Sequence, residues 1–188
     1  MKLFHGSPFL FSQFDLTGAG KGTGIKFGFG VYLTESEASA VHYSQPRGMD
    51  LMSQHYLYEV EIPDLTVDNH LVSANPVPQS IVSRVEKALG VVAPEGVKSA
   101  GKEFRKWIGM TLTGSKTVAL EEERRAGELL DGVGVICNVW PQAQTKPDGL
   151  KNIVMFNASR VKIIKVEEIE IELKSKKWVL INRKEIQR

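Results

Sequence analysis

The order of strand-like and helix-like segments constrains this fold more than any single motif. Residues 55–62, HYLYEVEI, place an apolar side chain at every second position and stop before Pro63, which predicts a strand. Residues 78–130 instead carry apolar side chains at helical spacing, as in SIVSRVEKALG. Strand patterns return in GVGVICNV, NIVMFN and RVKIIKVEEIEIEL. This order favours an α+β fold over alternating β-α-β units.

The bulk properties fit one ordinary globular domain. We expect 188 residues to form a single domain, residues 1–188, with a helical insertion at roughly 78–130. A net charge of +2 gives no argument for nucleic acid. The single cysteine, Cys137, cannot form an internal disulfide, which favours a reducing, cytoplasmic location. We find no signal-peptide pattern and no apolar run of about 20 residues, so we expect no membrane span.

The glycine-rich segment GAGKGTG (18–24) matches neither common nucleotide-binding loop. Gly20-Lys21 is followed by glycine, whereas a P-loop requires Ser or Thr there. Counted from Gly18, the sixth position is Thr23, so the dinucleotide fingerprint fails as well. The histidines show no metal-ligand spacing, and we expect no metal site.

Two glycines and a tyrosine precede a helix start in GFGVYLTESEASAVHY (28–43). Thr34 followed by Glu37 matches a capping box, so we expect a helix that starts there and carries Tyr43. The glycines would let a ligand approach the backbone, and the rings of Tyr32 and Tyr43 would offer stacking faces.

Three separated motifs resemble ADP-ribosyltransferases of the diphtheria-toxin and poly(ADP-ribose) polymerase type. That family carries His-Gly-Ser/Thr on its first strand, Gly-x-Gly-apolar-Tyr on the next, a second tyrosine on the following helix, and a late strand like Glu-Tyr-Val-Val-Phe. Here these motifs read HGS (5–7), GFGVYLT (28–34), Tyr43 and NIVMFN (152–157). LLDGVGVICNV is also similar to a strand of small bacterial and phage-associated members. The resemblance implies an ADP-ribosyltransferase-like split β-sheet core, interrupted by the helical insertion.

The resemblance also implies a role for each matching residue toward NAD⁺, the expected substrate. His5 would hydrogen-bond the adenosine ribose, Gly6 would offer its backbone to the nicotinamide amide, and Ser7 would help hold the nicotinamide ribose or carboxamide. Tyr32 and Tyr43 would sandwich the nicotinamide ring.

The third catalytic position, besides His5 and Tyr32, is Asn152, where the family's strongest members have glutamate. Asparagine keeps a hydrogen bond but supplies neither the negative charge nor the base. We therefore expect a single transfer and no polymer synthesis. A carboxylate could come from Asp148 or Glu35, although each could equally be a turn or helix-start residue.

The expected function is therefore mono-ADP-ribosyl transfer from NAD⁺ to a macromolecular acceptor, either protein or nucleic acid. Small free-standing members are often toxins, which implies an antitoxin or immunity protein as partner. One alternative is a module that binds NAD⁺ or ADP-ribose without chemistry. RNA 2′-phosphotransfer, the other alternative, depends on arginines near the first strand, and the first arginine here is Arg47.

A basic helical face in the middle of the chain would bear on the acceptor. On one continuous helix, four basic residues beside an aromatic ring would share a face: Lys98, Lys102, Arg105 and Lys106, next to Trp107. Such a face could hold single-stranded nucleic acid or could simply be solvated surface, and the sequence leaves both open.

Overall fold

A computed structural model describes residues 1–19, 25–45, 54–141 and 149–187. These residues form an α+β fold in which a mixed sheet of eight strands packs with five helices. The strands are β1 Lys2–Ser7, β2 Val31–Thr34, β3 His55–Glu61, β4 His70–Val72, β5 Cys137–Pro141, β6 Lys151–Met155, β7 Lys162–Lys174 and β8 Lys177–Glu185. The helices are α1 Glu37–Tyr43, α2 Gln79–Leu89, α3 Glu95–Lys98, α4 Gly101–Thr113 and α5 Leu120–Gly132.

The sheet has the order β4-β5-β6-β2-β1-β3-β7-β8, and it narrows at its centre. β4 and β5 run parallel, and the other neighbours run antiparallel. β1 pairs with β3 along its whole length, and β2 does the same with β6. Between β1 and β2, by contrast, the paired residues are Phe4 and Thr34. The sheet therefore consists of two continuous halves that meet at a short junction.

Loops cover one face of the sheet, which we call the loop face. Apolar side chains from both halves form a single cluster on it, with Phe11 and Phe14 of the segment after β1 packed against them. The buried strand residues of this cluster include Leu3, Val31, Leu33, Tyr58, Val139, Ile153 and Met155.

Helices cover the opposite face, which we call the helix face. Over the β4-β5-β6-β2 half, α2, α4 and α5 bury a large cluster that includes Val154 and Phe156. Over the other half, α1 packs Ala40 and Val41 against Leu57 of β3. The helix face therefore carries two separate helical layers, with α1 beside the junction of the half-sheets.

The α+β class and the helical middle are confirmed, with small shifts in bounds. The segment 28–34 becomes a strand only from Val31. The capping-box prediction was wrong, because the cap of α1 is Ser36, whose Oγ accepts a hydrogen bond from the Ser39 amide at 3.1 Å. The Thr34 hydroxyl instead accepts one from the Ser36 amide, also at 3.1 Å. Every helix in the described part of the chain is too short or too polar to span a lipid bilayer.

Candidate functional site

His5 bridges the junction between β1 and β2. Its Nδ1 lies 2.8 Å from the carbonyl oxygen of Tyr32. Because a carbonyl only accepts, this hydrogen bond requires the proton on Nδ1 and leaves a lone pair on Nε2 of the neutral ring. Burial lowers the pKa of His5, and the hydrogen bond to Tyr32 opposes the shift only in part. The ring is therefore neutral near pH 7, and Nε2 can accept a hydrogen bond from a hydroxyl group.

Aromatic rings surround His5 on the loop face. The ring centroids of Phe14 and Tyr58 lie 5.1 Å and 6.1 Å from that of His5, both edge-on. The Tyr58 hydroxyl donates to the Phe9 carbonyl and accepts from the Phe11 amide, each at 2.9 Å. One phenol thus fixes the segment that covers His5.

Gly6 and Ser7 have clear packing roles next to the junction. A Cβ on Gly6 would lie 1.8 Å from the carbonyl oxygen of Ala40, so α1 can sit on β1 only because residue 6 has no side chain. The buried Ser7 hydroxyl accepts a hydrogen bond from the Phe9 amide at 3.0 Å and shapes the turn after β1.

Gly28 and Gly30 also serve the protein's own packing. Gly28 has a φ of 127°, which disfavours other residues. A Cβ on Gly30 would lie 2.1 Å from the carbonyl oxygen of Met155, so the close approach at Gly30 is to β6. The Tyr32 hydroxyl donates to the Gly28 carbonyl at 2.8 Å, and burial raises the pKa of Tyr32 to about 12. This phenol is therefore protonated at neutral pH and fixed by its own turn.

A small polar patch lies on the helix face at the ends of β2 and β6. Thr34 stands opposite Asn152 in the β2–β6 ladder, and Trp140 of β5 stands opposite Asn152 on its other side. The Tyr32 ring meets Trp140 edge-on at 5.8 Å. Asn152 is partly buried, and its side chain has no hydrogen-bond partner within the described residues. Its amide is available both to donate to and to accept from a ligand.

Tyr43 lies at the end of α1, and the residue is 51% exposed. Contacts with β8 hold this helix in place. Nδ1 of His42 accepts a hydrogen bond from the Trp178 amide at 3.2 Å, and Arg183 pairs with Glu37 at 2.6 Å. The exposed ring is thus carried by a helix that is anchored at both ends.

Of the two alternative carboxylates, Glu35 lies beside Lys151, the residue before Asn152. Its Oε2 accepts a hydrogen bond from the amide of Lys151 at 2.7 Å, and its own amide donates to the Lys151 carbonyl at 3.0 Å. Asp148 lies outside the described residues. No group of three His, Cys, Asp or Glu side chains in the described ranges could hold a metal ion.

The structure brings the candidate residues together in two groups. Tyr32 and Asn152 point to the helix face, on which α1 with Tyr43 also packs. The ring of His5 points to the loop face and reaches Tyr32 through its backbone carbonyl. Sequence reasoning missed Trp140, whose ring stacks on Phe27 at 3.9 Å, because no local pattern distinguished it from other core aromatics.

The predicted basic face was wrong. Lys98 belongs to the separate helix α3, where it pairs with Glu95 at 2.8 Å. Arg105 is 0% exposed, and its Nε and Nη2 contact the Glu123 carboxylate at 2.5 Å and 3.1 Å. Of the four basic residues, Lys102 and Lys106 are the two that are partly exposed on α4. The Nζ atom of each lies within 4.0 Å of a Glu103 carboxylate oxygen. The helical pattern did not show that α5 would cover the side of α4 that carries Arg105.

Comparison with models of known families, with curated proteins and with solved structures gives no match. The functional assignment therefore depends on the motif residues and their geometry.

Proposed function

We propose that this protein is a mono-ADP-ribosyltransferase that moves ADP-ribose from NAD⁺ to a macromolecular acceptor. The contact between His5 and Tyr32 carries the proposal. These residues come from two motifs that are 27 positions apart, yet they meet at 2.8 Å where the half-sheets join. The contact lies at the junction of the half-sheets, next to the helix that bears Tyr43.

In this proposal each side chain has a chemical task. Nε2 of His5, with its lone pair on the loop face, accepts a hydrogen bond from a hydroxyl of the adenosine ribose, so NAD⁺ crosses the junction between the half-sheets to reach Tyr32 on the helix face. The rings of Tyr32 and Tyr43 bind the flat nicotinamide, while the Asn152 amide binds a hydroxyl of the nicotinamide ribose. The backbone of Gly6 and the hydroxyl of Ser7 assist at the carboxamide.

The reaction breaks the C1′–N bond between ribose and nicotinamide. The bonding electrons leave with the nicotinamide nitrogen, and the ribose passes through an oxocarbenium-like transition state. A lone pair of the acceptor then forms the new bond to C1′, and the acceptor atom loses its proton. The acceptor is a protein or a nucleic acid. The resemblance adds a toxin role with an antitoxin or immunity protein as partner, and the single cysteine favours a cytoplasmic location.

A second candidate is a module that binds NAD⁺ or ADP-ribose without turning it over. Asn152 favours it, because an amide hydrogen-bonds a ribose but cannot neutralise positive charge in the transition state. Incubating radiolabelled NAD⁺ with cell extract separates the two candidates, since only a transferase labels a macromolecule. Treating one half of the sample with protease and the other with nuclease then identifies the acceptor class.

Tyr43→Ala tests the binding site with little risk to the fold, because the ring is half exposed. We expect NAD⁺ binding to weaken by about 1–3 kcal/mol through loss of stacking area, as measured by calorimetry. Val92→Ala is the control, because Val92 is 79% exposed between α2 and α3 and should bind NAD⁺ normally. Wild-type affinity in a folded Tyr43→Ala protein would contradict the site assignment.

A further inference from the structure

Glu35 is a carboxylate held rigidly at the edge of the proposed reaction centre. It follows the last residue of β2, and Thr34 is the cross-strand neighbour of Asn152. Two hydrogen bonds join Glu35 to Lys151, the residue before Asn152. The Glu35 amide donates to the Lys151 carbonyl at 3.0 Å, and the Lys151 amide donates to Oε2 of Glu35 at 2.7 Å. The carboxylate is thus fixed one residue away from Asn152 along β6.

The charge of Glu35 is not neutralised by a cation in the described part of the chain. Some other carboxylates there are paired, as Glu123 is with Arg105 and Glu37 is with Arg183, whereas the buried Glu122 has no ion pair either. Glu35 has no ion pair, and its second oxygen, Oε1, has no hydrogen-bond partner among the described residues. A fixed, partly buried carboxylate without a cation partner is therefore bound at Lys151, the residue before Asn152, whose side-chain amide also lacks a partner among the described residues.

We propose that Glu35 supplies the negative charge of the reaction centre while Asn152 supplies its hydrogen bonds. This inference rests on the proposed function and divides between two residues the tasks that one glutamate could perform. As the C1′–N bond breaks, its electron pair leaves with nicotinamide and positive charge develops on the ribose. The Glu35 carboxylate stabilises that charge, and it accepts the proton that the acceptor loses when its lone pair bonds to C1′.

Electrostatic stabilisation by a preorganised group is strong enough to matter here. Removing one such group from an active site typically lowers kcat by about 100- to 1,000-fold. The group must be fixed before the reaction begins, since reorganisation would cancel the benefit. The two hydrogen bonds to Lys151 meet this requirement for Glu35.

The Glu35→Gln variant removes the negative charge but keeps the structural contact, because the glutamine side-chain oxygen can still accept the hydrogen bond from the Lys151 amide. With water as the acceptor, we expect the kcat of nicotinamide release to be about 100-fold lower than in the wild type. The dissociation constant for NAD⁺ should stay within about threefold, and Tm should be unchanged, since the ladder contact is kept. Glu61→Gln is the matched control, because Glu61 is an exposed glutamate at the end of β3, and its kcat should equal that of the wild type.

A second variant moves the carboxylate instead of removing it. In the Glu35→Gln background, Asn152→Glu should recover at least about tenfold in kcat, because it returns a negative charge to the same edge. A purely structural role for Glu35 would not be rescued in this way. Wild-type kcat in Glu35→Gln, or no recovery in the double variant, would overturn the inference while leaving the proposed function intact. If the wild-type protein does not bind NAD⁺, the proposed function is wrong. If it binds NAD⁺ but does not release nicotinamide, both the transferase activity and this role of Glu35 are wrong.

Discussion

The guanidinium of Arg105 lies inside the helical cluster and pairs with Glu123 of α5. Its Nη1 is buried without a hydrogen-bond partner among the described residues. The Nε atom lies 3.4 Å from the position that a Cβ on Gly28 would occupy, so the ion pair supports the turn that binds the Tyr32 hydroxyl. A buried pair of this kind is costly to form and costlier to break, because the remaining charge would have no partner.

Replacing Glu123 with Gln should therefore be strongly destabilising. We expect the free energy of unfolding to fall by about 3–5 kcal/mol, measured by urea denaturation. The double variant Arg105→Leu/Glu123→Leu removes both charges and should lose less stability than Glu123→Gln alone. A loss below about 1 kcal/mol in Glu123→Gln would show that the Arg105 charge is not dependent on this partner. The same logic makes Arg105 unsuitable as a probe of acceptor binding, since its replacement acts on the core.

At the scale of elements, the position of α1 depends on one glycine. Gly6→Ala would set a methyl group 1.8 Å from the Ala40 carbonyl oxygen, so α1 has to move away from β1. We expect a loss of about 1–3 kcal/mol in unfolding free energy, together with weaker NAD⁺ binding, because Tyr43 moves with α1. Gly96→Ala in α3 is the matched control, because no atom lies within 4 Å of its added Cβ. Unchanged stability and unchanged NAD⁺ affinity in Gly6→Ala would contradict this account of the helix.

Elements with a strong local pattern could be predicted from the sequence, whereas contacts between elements could not. The alternation of Tyr56, Tyr58 and Val60 correctly predicted β3, because these three side chains all lie in the loop-face cluster. Thr34 and Ser36 are both good caps, and only the end of pairing between β2 and β6 decides between them.

The candidate site shows the same limit. The motifs identified His5, Tyr32 and Asn152 as candidates, and their roles remain predictions. The strand register sets Thr34 opposite Asn152 and brings Glu35 to the neighbouring Lys151. This register depends on pairing between strands more than 110 residues apart in the chain. No local periodicity encodes such a pairing.

At the scale of the whole molecule, the two half-sheets share one core although they share little backbone pairing. The junction pairs Phe4 with Thr34, yet the loop-face cluster joins Leu3 and Tyr58 of one half to Ile153 of the other. Because burial of apolar area dominates the stability of a domain, this shared cluster should make the halves unfold together.

Labelling of Cys137, which lies in the β4-β5-β6-β2 half, can test whether the two halves unfold together. The thiol is fully buried in β5, and burial raises its pKa to about 12, so it should not react with a thiol reagent in the folded protein. If the halves unfold as one unit, the free energy of opening from Cys137 labelling should equal the global value from circular dichroism, within about 1 kcal/mol. Adding urea should lower both values with the same slope, since the same surface becomes exposed. A labelling free energy several kcal/mol below the global value would show instead that the half containing Cys137 opens on its own, and that the junction at Phe4 and Thr34 separates two folding units.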